Sequence, residues 1–76
     1  MRVISASKYI DIPYEECVLE VEIHSYHGTV DYSIEATNVG AGTKYFMCGF
    51  KTSEEAKYML SQISDAYIDG AKVVYL

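Results

Sequence analysis

The sequence predicts a small α+β fold: a mostly antiparallel sheet in the order β-β-β-β-β-α-β, with one amphipathic helix packed on one face. Three observations carry this reading. Two successive segments, Cys17 to His24 and Thr29 to Thr37, alternate apolar and polar residues with the period of two that a half-buried strand requires. The connection between them is short and ends in Gly28, so the two strands form an antiparallel hairpin. A later segment changes to helical spacing, with Ala56, Met59, Leu60, Ile63 and Tyr67 at i, i+3, i+4, i+7 and i+11. At 76 residues the chain is one domain's worth, spanning 1 to 76 without a linker or repeat.

Taken in order, Val3 to Ser5 and Ile10 to Ile12 read as an opening hairpin across Ala6-Ser7-Lys8. It ends at Pro13, which has no amide to give to a ladder. The first long strand turns Cys17, Leu19, Val21 and Ile23 inward, and Val18, Glu20, Glu22 and His24 outward. Its partner turns Val30, Tyr32, Ile34 and Ala36 inward, and Thr29, Asp31, Ser33, Glu35 and Thr37 outward. The glycine-containing loop Asn38 to Gly42 leads to a third long strand, Lys44 to Phe50. Thr52-Ser53-Glu54-Glu55 reads as a capping box opening the helix, and Gly70 as the left-handed residue that stops it. Tyr32 and Tyr67 lie on apolar stripes and are expected in the core. Val73 to Leu76 closes the fold as a last short strand.

Charge narrows the functional classes. Six Lys and Arg against eleven Asp and Glu give a net charge of −5, which repels a phosphate backbone and argues against direct nucleic-acid binding. The same sign favours a partner protein with a basic surface. No apolar run is long enough for a membrane span or a cleavable signal, so a cytoplasmic protein with no membrane partner is expected. Cys17 and Cys48 are read as free thiols, in keeping with a reducing compartment. A chain this short, with no disulfide to brace it, has little area to bury, and self-association into a homo-oligomer is expected.

Two regions could carry function. Glu20, Glu22, Asp31 and Glu35 project from one side of the central hairpin with His24 and Ser33 among them, forming an acidic patch. Tyr26, Tyr45 and Met47 are expected on the same wet side, where amphipathic side chains serve as contact anchors. The patch with Tyr26, Tyr45, Met47 and His24 is therefore the candidate partner-binding surface. The alternative is the loop Asn38-Val39-Gly40-Ala41-Gly42-Thr43-Lys44. There, backbone amides beside Gly40 and Gly42, the Thr43 hydroxyl and the Lys44 ammonium would hold a phosphate, with Asn38 at the loop's entrance. That loop opens no helix and meets neither nucleotide-binding motif. His24, His27, Cys17 and Cys48 lack the spacing of a metal site. Cys48, among apolar neighbours, lacks the setting of an activated nucleophile. No catalytic residues, metal or cofactor are expected.

Arg2-Val3-Ile4-Ser5, followed by Ile10-Asp11-Ile12-Pro13-Tyr14-Glu15, and Ser53-Glu54-Glu55-Ala56 at the head of the helix together resemble short phage- and prophage-associated proteins of low-GC Gram-positive bacteria. The resemblance covers the first 16 residues and the helix, and departs from the usual pattern at Ala6-Ser7-Lys8, where a glycine-containing turn is customary. It transfers no site. It implies a phage setting, in which small acidic proteins blunt host defences by binding. The expectation is thus a non-enzymatic inhibitor that binds a basic host defence protein through its acidic, Tyr-containing face. The alternative is an oligomeric sponge that sequesters a nucleotide immune signal at the glycine loop.

Overall fold

Six strands and one helix follow one another in the expected order. They are β1 (Arg2–Ile4), β2 (Asp11–Pro13), β3 (Cys17–Tyr26), β4 (Thr29–Asn38), β5 (Lys44–Phe50), α1 (Ser53–Ile68) and β6 (Val73–Tyr75), with a 3-10 turn at Tyr14–Glu16. The computed structural model describes all 76 residues. The strands form two three-stranded sheets, β2-β1-β6 and β3-β4-β5, where a single sheet was the simpler expectation. The physical reason lies at both ends of the chain. The 3-10 turn after Pro13 redirects the backbone before β3 begins, and α1 carries the chain across to pair β6 parallel with β1. Backbone bonds Ala6 N–H to Met47 O and Val39 N–H to Glu16 O, both 2.9 Å, tie neighbouring segments across the division. Val3, Ile12, Ile34, Ala36, Met47 and Ile63 form one core shared by both sheets and the helix.

β3 and β4 pair in an unbroken antiparallel register from Cys17↔Asn38 to Tyr26↔Thr29. His27 and Gly28 alone make the turn, with φ of 48° and 78°. Two consecutive positive φ values match the right-handed twist of the strands they join. β5 pairs with the other side of β4, but the register slips between Ile34 and Glu35: Cys48 faces Ile34, Phe46 faces Glu35, and Met47 is the extra residue. This bulge reverses the expectation for two residues. Tyr45 pairs with Ala36 on the helix side, Met47 is 1% exposed in the core, and Phe46 takes the open side.

Local chemistry explains the helix ends. The Thr52 hydroxyl oxygen accepts from the Glu55 amide at 3.2 Å, which is the first half of the capping box. The returning carboxylate bond is not made, and Glu55 borders a surface groove instead. At the far end, Ala71 N–H bonds Ala66 O and Gly70 N–H bonds Tyr67 O, with Gly70 at φ 81°, a complete Schellman closure. Ala56 and Ile63 are fully buried, while Met59 and Leu60 pack on the core from its margin. Tyr67, expected in the core, is 44% exposed and lies against Tyr14 with ring centroids 4.7 Å apart. Tyr32 is only partly buried. No helix is long and apolar enough to cross a membrane.

The helix does not cover the whole hairpin. Ile34 and Ala36 are fully buried, whereas Ile23 and Val30, on the same side and farther toward the turn, are 68% and 46% exposed. The overhang stretches the molecule to 40 × 26 × 19 Å, with a radius of gyration of 12.3 Å; a compact chain of this length measures about 11 Å.

Candidate functional site: the open face of the β3–β4–β5 sheet

Cross-strand partners in an antiparallel ladder point to the same side. The pairs Glu20↔Glu35, Glu22↔Ser33 and His24↔Asp31 therefore place Glu20, Glu22, Asp31 and Glu35 together on the face away from the helix, with His24 and Ser33 among them. Tyr26 continues that face at the tip of the hairpin, 75% exposed and edge-on to the His27 ring. Tyr45 and Met47 are absent from it for the reason given above. Phe46, 56% exposed, stands there instead.

The face is not uniformly acidic. Lys44, read from sequence as part of a phosphate loop, pairs with Thr37 at the head of β5 and reaches back across the sheet. Its ammonium donates to Glu22 and stands 3.7 Å from Glu20. The hydrogen bond from Lys44 holds the Glu22 carboxyl below its ordinary range, and the same bond raises Lys44. A lysine is expected to face water, and here it does so on the acidic side of the sheet.

Glu35 also departs from a simple solvated patch. Its side chain is only 10% exposed and accepts a 2.7 Å bond from the Ser33 hydroxyl, which is itself completely buried. Because Ser33 has given its one proton to Glu35, its oxygen accepts from His24 Nε2 at 2.8 Å. The chain of donors runs His24 to Ser33 to Glu35. A nucleophilic serine needs the opposite arrangement, with the imidazole taking the hydroxyl proton and the oxygen open to a substrate. This trio instead satisfies a buried carboxylate and fixes the His24 ring on the open face.

Beside it, an open groove of about 520 Å³ runs over the end of β4 and β5, bordered by His24, Asp31, Phe46, Phe50, Lys51 and Glu55. Gly49 shapes one wall: a Cβ there would meet the tip of the Phe46 ring at 3.3 Å. Sequence periodicity had no means of finding this groove, since its walls come from β3, β4, β5 and the helix's first turn.

The glycine loop closes on itself. Asn38 Oδ1 accepts from the Ala41 amide at 2.8 Å, Asn38 O accepts from Gly42 at 2.7 Å, and Asn38 N–H bonds Thr43 O at 2.8 Å. Ala41 and Gly42 thus have their amides engaged within the turn, Gly40 and Thr43 lie exposed on it, and the Lys44 ammonium is turned to the acidic face. The arrangement does not gather the donors of a phosphate cradle.

Cys17 and His24 lie on opposite faces of β3, and no three of the His, Cys, Asp and Glu side chains are grouped to hold a metal ion. Burial pushes the Cys17 and Cys48 thiols up, away from thiolate reactivity. Comparison with protein families, curated proteins and solved structures returns no match to this chain.

Proposed function

We propose that this chain is a non-enzymatic binding protein that docks the open face of its β3–β4–β5 sheet on a basic surface of another protein. The observation that carries the reading is the composition of that face. Glu20, Glu22 and Asp31 are displayed beside the exposed ring of Phe46, and Lys44 is the one Lys or Arg in the three strands. Carboxylates of one sign steer a basic partner and set its register. The groove between Phe46 and Phe50 adds the concave apolar anchor that a flat charged sheet lacks, and Tyr26 extends the contact along the hairpin. In the phage setting implied by the sequence resemblance, the partner is a cytoplasmic host defence protein whose basic surface normally grips nucleic acid, and binding inhibits it by occupying that surface.

Affinity capture from a Gram-positive host, using wild type and the Glu20→Lys/Glu22→Lys variant in parallel, tests this. A basic protein retained by wild type, lost by the variant, and bound about tenfold or more weakly by wild type as salt rises from 50 to 200 mM in about the manner of multiple charge contacts supports the proposal. Identical capture by both chains, or binding insensitive to salt, overturns it.

A further inference from the structure

We propose that the outer edge of β3 is a dimer interface, on which β3 of a second copy of this chain pairs antiparallel about a two-fold axis at Ile23. The join would make one continuous sheet from two of the three-stranded sheets. The first support is the state of the edge. β3 is terminal in its sheet, ten residues long, and pairs with β4 without a bulge. Cys17 to Tyr26 contains no proline, lysine or arginine, and its two charged residues, Glu20 and Glu22, constrain the register of a partner strand. The opposite edge, β5, is bulged, and its Met47 carbonyl is already bonded to Ala6. In the other sheet, β2 has three residues and ends in Pro13.

The second support is what the overhang leaves uncovered. Ile23 and Val30 are exposed on the helix side of the hairpin, beyond the end of the helix layer. A second β3 laid against this edge sets its own Ile23 beside the first on the helix side, so the two isoleucines cover each other's flanks, while Val30, one strand further in, stays outside the contact.

Charge then selects the register. With the axis normal to the sheet, facing residues share parity along the strand. An axis at Val21 sets Glu20 against Glu22 of the other copy twice, and an axis at Glu22 sets that carboxylate against itself. An axis at His24 leaves Ile23 facing Ser25. At Ile23, isoleucine faces isoleucine, Glu22 faces His24 of the second copy, Glu20 faces Tyr26 and Val21 faces Ser25. Lys44, already bonded to Glu22 and close to Glu20, lowers the repulsion between the two acidic strands. The exposed acidic faces remain outside the interface and lie side by side.

Sedimentation equilibrium and native mass spectrometry at about 100 µM read the result, a concentration that populates a dimer with a Kd of about 10 µM. The expected species has twice the 8.5 kDa mass of the chain. Ile23→Lys places two ammonium groups face to face and is expected to raise the dimer Kd by about tenfold or more. Val39→Lys, at an exposed loop position, is expected to leave it unchanged. In a Cys17→Ser/Cys48→Ser background shown to dimerise, a short bismaleimide should link Ile23→Cys into dimers and leave Ser25→Cys mostly unlinked. A monomeric wild type, a dimer indifferent to Ile23→Lys in a variant with native circular dichroism, or equal linking at both positions overturns the proposal. None of these readouts depends on the basic partner proposed above.

Discussion

The two halves of the β3–β4 hairpin have the same alternation, the same rich content of β-branched residues and the same ladder, yet they end in different environments. Near the base, Ile34 and Ala36 lie beneath α1 and are fully buried. Toward the turn, Ile23 and Val30 occupy equivalent positions of the pattern and face solvent. Period-two patterning tells which side of a sheet a residue faces; what covers that side is decided by the length and placement of another element. The unburied half is where an acidic face, an open strand edge and an exposed apolar patch meet.

The largest expected effect tests that contrast directly. Ile34→Ala should cost about 2–5 kcal/mol in denaturant unfolding, while Ile23→Ala, measured at low protein concentration, should stay within about 0.5 kcal/mol. Equal losses would break the comparison. On the open face, Glu35→Ala should cost about 1–3 kcal/mol because the buried Ser33 hydroxyl loses its acceptor, whereas Glu20→Ala should change stability by less than about 1 kcal/mol. Similar values for the two would mean that Glu35 is solvated like its neighbour. At the turn, His27→Asn should stabilise the hairpin by up to about 1 kcal/mol, since asparagine accepts the left-handed conformation more readily. A loss of stability would show that the Tyr26–His27 ring contact outweighs backbone strain.

The smallest effect sharpens the electrostatics of the face. Lys44 holds the Glu22 carboxyl below its ordinary value of 4.5. The stabilisation from this lowered carboxyl is present above that value and is lost as acid carries the pH down through the folded pKa. Lys44, raised above 10.5, loses its share only as pH climbs through its own folded pKa. In Lys44→Met, the Glu22 titration followed by NMR should move upward toward 4.5; an unmoved titration would separate the two groups.

Element order and type were legible because each rests on near neighbours: alternation in Cys17 to Thr37, the Thr52 cap, and Gly70 at the helix stop. The clustering of Glu20, Glu22, Asp31 and Glu35 was legible too, since parity and a tight hairpin suffice for it. The displacement of Tyr45 and Met47 was not. Lys44 to Phe50 is apolar almost throughout, and a bulge in such a run leaves no break in periodicity. Nor could sequence distance indicate that Lys44 would reach Glu22 across the intervening strand, or that Ser33 and Glu35 would be buried on a nominally wet face.

Backbone and side-chain chemistry acting over a few residues thus determined the strands, the helix, its caps and the sidedness of the acidic residues, because those preferences are satisfied within a single turn or a single strand pair. The division into two sheets, the bulge that exchanges Phe46 for Met47, the groove beside Asp31 and the uncovered end of the hairpin were decided only in three dimensions. Each depends on how far α1 and the neighbouring strands reach once the shared core around Ile34, Met47 and Ile63 has closed.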